Sequence, residues 1–281
     1  MKNKFKIGIV GTGYVGSAIR SYFEQLTKVE TFDKNVKCTT SSIQELVDKC
    51  NIIFVCVPTP MNKDGSTHIN ILFNVINEIN EAVNCKNNKV VVIKSTIPVG
   101  TTNHLNNEFD KIKIIFNPEF LREVSFEKDF ANQDRIILGS NERQELIYDL
   151  YKEHFPNAEI IETKPSEAEM VKYVTNSFLA TKVSFANEIE SFCTAKKINY
   201  KNIVKVAIKD KRLGHSHWDV PGPDGRRGFG GSCFPKDIAS LIKQFKAENI
   251  DSYIISSAWQ RNLKLDRSER DWEKLKKRAV I

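Results

Sequence analysis

The 281-residue chain is 41% hydrophobic and carries a formal charge of +7, from 42 Lys and Arg against 35 Asp and Glu. That length allows one large or two medium domains. No apolar run approaches the roughly 20 residues of a membrane helix, and the basic start enters a strand without the apolar core of a signal sequence. The expectation is therefore a cytoplasmic protein with no membrane partner. The charge suits an anionic ligand. Lys and Arg are dispersed along the chain, so no nucleic-acid partner is expected. The denser end at residues 274–278 reads as a solvated, frayed helix end. The six cysteines, Cys38, Cys50, Cys56, Cys85, Cys193 and Cys233, form no close metal-type pair, so no metal is expected and a reducing compartment is the natural reading.

Residues 5–10, FKIGIV, form a short apolar run that leads into GTGYVG. Gly11, Gly13 and Gly16 are spaced G-x-G-x-x-G, and SAIRSYFEQL follows with helical apolar positions at Ala18, Ile19, Tyr22, Phe23 and Leu26. A second short strand, VETFD, ends at Asp33, 22 residues after Gly11. Strand, glycine turn, helix and acid together make a dinucleotide site. Gly11 permits the tight turn, Gly13 the approach of backbone amides to a pyrophosphate, and Gly16 close packing of helix on strand. Asp33 can accept hydrogen bonds from both ribose hydroxyls and would repel a 2′-phosphate, which favours NAD over NADP. Lys34 weakens that preference slightly, because a cation there tolerates phosphate.

Further strands are read at 52–57, 89–96, 112–117 and 135–139, with a helix over 71–83. The alternation predicts a Rossmann-like, doubly wound parallel sheet whose ligands gather at the carboxyl ends of the strands. PTP, KSTIPVG and NPEFLRE lie at such ends.

From Ser166 the pattern becomes one long helix of about 30 residues, with Val171, Val174, Phe178, Ala186, Ile189, Phe192 and Cys193 at helical spacing. Ser166 and Glu169 read as a capping box after Pro165. Such a length points to a helix that bridges domains or subunits. Lys172 and Asn176 share a face. The sequence thus divides into an NAD-binding domain at 1–163 and a mainly helical domain at 164–281. In RRGFGGSCFPKD, Cys233 sits at or just before the N-terminus of another helix, where amide dipoles favour a thiolate. Asp237 follows four residues later. The residues alone leave Cys233 open between an inert packing thiol and a nucleophile.

GTGYVG, VCVPTP, KSTIPVGTT, NPEFLRE, the Lys172/Asn176 helix and GFGGSCFPKD occur in this order over nearly the whole chain. Together they resemble the UDP-glucose/GDP-mannose dehydrogenase family, in its UDP-glucose 6-dehydrogenase branch. The resemblance implies oxidation of a sugar C6 alcohol to the carboxylate with two NAD, through a thiohemiacetal and a thioester on Cys233. It implies that Lys172 holds the oxyanion with Asn176 beside it, that Glu123 is the base of thioester hydrolysis, that Thr96 and Asp237 position water and proton carriers, and that Glu119 orients the site. Cofactor contacts are implied for Gly11, Thr12, Gly13, Tyr14, Val15, Gly16, Asp33, Lys34, Pro58, Thr59, Thr96 and Glu123. Substrate contacts are implied for Glu119, Phe120, Leu121, Arg122, Glu123, Lys172, Asn176, Arg212 and Gly230. UDP-glucose is the favoured substrate and a homodimer the expected assembly. GDP-mannose, a UDP-N-acetyl sugar, or a non-catalytic NAD-binding relative are the alternatives. A two-electron hydroxyacid dehydrogenase is a weaker rival, since it has no use for Cys233. The match also implies a short form without the family's C-terminal α/β domain. In the loop GHSHWDVPGPDGRRG, Arg226 and Arg227 are then candidate diphosphate ligands.

Overall fold

A computed structural model describes residues 4–84 and 89–281, so Cys85 lies outside the described residues. The chain forms two compact units, Met1–Thr59 with Ile69–Lys172, and Pro60–His68 with Tyr173–Ile281.

The first unit alternates strands and helices: β1 (Ile7–Val10), α1 (Tyr14–Phe23), β2 (Val29–Phe32), α2 (Ile43–Lys49), β3 (Ile52–Val55), α3 (Asn70–Ala82), β4 (Val90–Ile93), α4 (Thr101–Glu108), β5 (Lys113–Phe116), α5 (Phe126–Ala131), β6 (Arg135–Gly139), α6 (Glu145–His154) and β7 (Glu159–Thr163). The seven strands lie in the order β2-β1-β3-β4-β5-β6-β7. Strands β1, β3 and β4 read IGIV, IIFV and VVVI and are buried throughout. Runs without a polar residue are what a parallel sheet covered on both faces requires. Alternate side chains divide between two cores. Ile53, Val55, Val91 and Ile93 pack with Leu46 of α2 and Ile76 of α3, while Ile52, Phe54 and Val92 pack with Phe23 of α1 and Tyr151 of α6. The order reverses between β1 and β3, which places the crevice for a ligand beside Gly11.

The sheet departs from the all-parallel expectation at one place. β6 meets β5 antiparallel, through the pair Phe116↔Gly139, and then pairs in parallel with β7. The connection between them contains NPEFLRE and only a six-residue helix, α5, and it returns the chain reversed. β7, EIIET, was not legible because it is a half-exposed edge strand with few apolar residues. Leu26 does not extend the buried face of α1; it is exposed beyond the helix.

Helix α7 (Pro165–Ala195) has 31 residues, and the division between the units falls within it, after Lys172. Its start differs from the capping box read in the sequence. With Pro165 as the first helical residue, the acid three positions after the cap is Glu167, and it accepts from the Lys164 N–H at 3.1 Å. Glu169 turns instead to α4, accepting from Thr102 N–H at 2.8 Å and Thr102 Oγ1 at 2.6 Å.

The second unit continues with α8 (Tyr200–Ala207), α9 (Phe234–Ala247) and α10 (Tyr253–Arg261). Ala180 of α7 packs with Phe229, Ile238 and Ala258, and further along α7 Ala186 and Cys193 pack with Tyr200 and Val220. The basic end is not a frayed helix. Trp272 is buried, and Met61 N–H donates to Ala279 O at 2.8 Å, because backbone bonding to the returning segment 60–68 satisfies the tail. No helix of the described residues is long and apolar enough to cross a membrane.

Candidate active site

The glycine turn of the first unit has the features a dinucleotide requires. Gly11 has φ +90°, which favours glycine, and its N–H donates to Phe32 O at 2.9 Å. A Cβ on Gly16 would stand 2.0 Å from Gly11 O, so helix and turn touch backbone to backbone. At Gly13 no atom lies within 4 Å of a Cβ, which leaves room at the start of α1 for a phosphate. Asp33 accepts from Thr12 N–H at 2.8 Å, Thr12 Oγ1 at 3.1 Å and Asn35 N–H at 2.9 Å. Burial pushes its carboxyl up, but these donors outweigh it and hold the group below its ordinary value. Lys34 turns toward Glu78 at 3.4 Å. Tyr14 and Pro58 are exposed, Val15 is half-buried, and Thr59 is buried with its hydroxyl on Thr96 O at 2.8 Å. These residues fit a dinucleotide with an unphosphorylated ribose.

The loop after β5 forms a second group in the same unit. Lys172 Nζ lies 3.0 Å from Glu119 Oε1 and also donates to Glu119 O. Glu119 Oε2 accepts from Leu121 N–H at 2.7 Å. Burial pushes the Glu119 carboxyl up, yet Lys172, with help from Leu121 N–H and Lys94, keeps it below its ordinary value. Phe120 lies beneath two cations, Lys172 at 5.2 Å and Arg135 at 4.7 Å. Arg122 is tied to Asp129 by two side-chain bonds of 2.6 and 3.0 Å. Glu123 is half-buried. Lys94, Glu119, Phe120, Leu121, Arg122 and Arg135 border a cavity of about 610 Å³.

In the second unit Cys233 caps α9, with Pro235 in the first turn, and Ser232 Oγ stands 3.8 Å from its Sγ. Asp237 is 1% exposed. It accepts from Asn176 Nδ2 at 2.6 Å and pairs with Lys236. Lys172 and Asn176, which share a face of α7, are both buried. The glycines before the thiol are packed from outside. A Cβ on Gly230 would meet Arg267 Nη2 at 2.5 Å, and one on Gly228 would meet Asn262 Oδ1 at 2.3 Å. Asn262 pairs with both backbone groups of Phe229, at 2.9 Å each. Buried Arg267 bonds Asp271 at 2.9 Å, Arg227 O at 3.0 Å, and Asp224.

Three arginines of the sequence reading are engaged by groups of the second unit. Arg212 is exposed and engaged with Asp210. Arg227 is bound to Glu190, Asn187 O and Ser191 Oγ, and Arg226 lies 3.3 Å from Asp271. Acids and carbonyls of the second unit thus engage the guanidinium groups offered as diphosphate ligands. Sequence reasoning missed Lys94, Asn117, Asn262 and Arg267. A lysine directly after VVVI was a signal for the first. The two last act on residues more than thirty positions away and left no local mark.

Residues 21–155 match the NAD-binding domain of the UDP-glucose/GDP-mannose dehydrogenase family, and residues 166–264 match its central domain. A UDP-glucose 6-dehydrogenase of Rickettsia bellii is 35% identical over 230 residues, covering 79% of this chain and 51% of that protein. One from Pseudomonas aeruginosa is 34% identical over 236 residues with the same coverage. The chain thus spans about half the length of these curated relatives. The solved UDP-glucose dehydrogenase of Pyrobaculum islandicum superposes with a TM-score of 0.83 at 27% identity, over 93% of this chain and 69% of that one. A Mycobacterium tuberculosis 3-hydroxyisobutyrate dehydrogenase, 15% identical with a TM-score of 0.76 over 97% of this chain and 99% of that one, shares the fold alone. Two consecutive domains of one family, matched in order, account for most of the sequence: the chain belongs to the UDP-glucose/GDP-mannose dehydrogenase family.

Proposed function

We propose that the protein oxidises the C6 alcohol of a nucleotide sugar, UDP-glucose in the first instance, to the carboxylate. The observation that carries this reading is the thiol of Cys233 at the head of α9, in a glycine-flanked loop and one turn before the buried Asp237. A two-electron oxidation has no use for a thiol there, whereas an aldehyde needs a covalent adduct before it can lose a second hydride. NAD, when bound, supplies the hydride acceptor for each oxidation. Asp33 and the turn at Gly11, Gly13 and Gly16 hold its ribose and phosphates, with Thr12, Tyr14, Val15, Pro58 and Thr59 around them.

In the first oxidation the C6 hydroxyl proton would pass to a water held by Thr96 and Asp237 as hydride leaves C6 for the nicotinamide acceptor, which gives the aldehyde. The Cys233 sulfur then adds to the aldehyde carbon. Lys172 holds the oxygen that gains negative charge at each stage, with the Asn176 amide beside it. Loss of the second hydride to a second acceptor, and of the hydroxyl proton to the same water, leaves a thioester. Glu123 takes a proton from water as it attacks the thioester carbon, and the C–S bond breaks to return the thiol and release the carboxylate. Thr96 and Asp237 position water and proton carriers. Glu119 aims Lys172, and the Phe120–Leu121–Arg122 backbone and Gly230 contact the sugar nucleotide.

We further propose a homodimer built on α7. Val174, Phe178, Phe185 and Phe192 are all more than half exposed and recur at helical spacing.

The test is NADH yield from a panel of nucleotide sugars. Two NADH per UDP-glucose are expected. Cys233→Ser keeps the fold and loses uronate formation, stalling at no more than one hydride. One NADH per sugar, or an unimpaired serine variant, sinks the thiol mechanism. A better yield from GDP-mannose or a UDP-N-acetyl sugar reassigns the substrate.

A further inference from the structure

Lys94 lies directly after the apolar run of β4 and is 3% exposed. A buried ammonium is costly unless it interacts with something specific. The hydrogen-bond acceptor here is a neutral amide, Asn117 Oδ1, at 2.8 Å. The same oxygen accepts from Tyr151 Oη at 2.6 Å, and Asn117 Nδ2 donates to Ile137 O at 2.8 Å. Asn117 is thereby locked at the residue where β5 gives way to Pro118 and Glu119. Lys94 itself is two residues before Thr96, whose carbonyl holds Thr59. One buried cation thus sits at the root of both loops assigned to the chemistry.

Its charge has a second use. The titratable groups near it are the Cys56 thiol, Glu119, Lys172 and, through Asn117, Tyr151. Burial lowers Lys94 to about 8, with Lys172 acting in the same direction and Cys56 and Glu119 against it. Burial pushes the Cys56 thiol up to about 12, so it supplies no negative charge near neutral pH. Glu119 is therefore the anion near Lys94: it borders the same cavity and pairs with Lys172 at 3.0 Å.

We propose that Lys94 is a positioning residue: it anchors the 117–119 turn through Asn117 and sets a second cation on the cavity that Glu119 borders, so that the Glu119 side chain keeps the Lys172 ammonium aimed. The kinetic part of this inference rests on the function proposed above; the electrostatic part does not.

Two variants test it in the full chain. Lys94→Met removes the charge and leaves Asn117 Oδ1 with the Tyr151 donor. Lys94→Gln keeps a donor without the charge, and serves where the methionine variant does not fold. The Glu119 titration is read by carboxyl carbon NMR, assigned with Glu119→Gln. Its midpoint rises by about one pH unit in the variants. With UDP-glucose, kcat falls about tenfold or more while KM changes little. A Glu119 midpoint equal to that of the wild type in both variants overturns the proposal, because a purely structural lysine would cost stability without moving it. A wild-type protein that makes no NADH from any sugar nucleotide sinks the proposed function instead, and the NMR midpoint still decides the role of Lys94.

Discussion

Asn176 of α7 donates its side-chain amide to the carboxylate of Asp237 in α9 at 2.6 Å, and neither residue is reached by solvent to any useful degree. The bond joins the amide proposed to stand beside the oxyanion to the acid one turn below Cys233. Asp237→Asn should place one amide against another and remove the negative charge from the Lys236–Asp237 pair. We expect a loss of about 1–3 kcal/mol in urea unfolding, together with loss of uronate formation. The exchange Asn176→Asp with Asp237→Asn should recover part of the stability and none of the activity. An Asp237→Asn protein as stable as wild type would show that the bond carries nothing.

Cofactor choice follows from Asp33. Its carboxylate is already held by Thr12 and Asn35, so it presents a fixed negative charge at the end of β2. Asp33→Ala should lower the preference for NAD over NADP by about tenfold or more, since a charged hydrogen bond and a charge repulsion are both removed. Comparing kcat/KM for the two cofactors decides this. Equal turnover of both by the wild type would refute the assignment.

Acid stability should report the Glu119–Lys172 pair. Glu119 sits below its ordinary value of 4.5 in the folded protein. A carboxyl depressed on folding contributes stability that is present above its unfolded value and lost as pH falls through the folded one. Between about pH 5 and pH 3 the wild type should therefore lose more unfolding free energy than Glu119→Gln, whose side chain does not titrate. Parallel stability curves for the two proteins would contradict the depressed value.

Assembly should depend on the exposed stripe of α7. Phe178 is 67% exposed, and a glutamate there places charge in the middle of the proposed contact. Phe178→Glu should convert a dimer to a monomer by light scattering at micromolar concentration, with unchanged circular dichroism. A wild-type monomer would refute the dimer.

Much of the first unit was readable from local patterns. The strands IGIV, IIFV and VVVI announce themselves because burial on both faces demands a run without polar residues, and the glycine turn because its geometry admits few alternatives. The reversal of β6 was not readable: the residues of RIILG are equally compatible with either direction, and the pairing at Phe116 and Gly139 is decided by the path of the preceding loop. Within the candidate site, Cys233 and Asp237 stood out through spacing along one helix. For Arg226 and Arg227 a sequence shows that guanidinium groups are present and not that Asp271 and Glu190 stand beside them. Asn262 and Arg267 act at long range and have no local signature.

Arg267 has one more consequence. The stretch that resembles the family's central domain ends at residue 264, three positions before this guanidinium and seven before Asp271. Yet the turn that presents the thiol is braced by both, through Arg227 O and Asp224. Kinship and mechanical support therefore have different borders in this chain. A protein trimmed to the border of kinship would keep Cys233 and lose the brace behind it, so the last seventeen residues belong to the workings of the loop as much as the motif that gives it away.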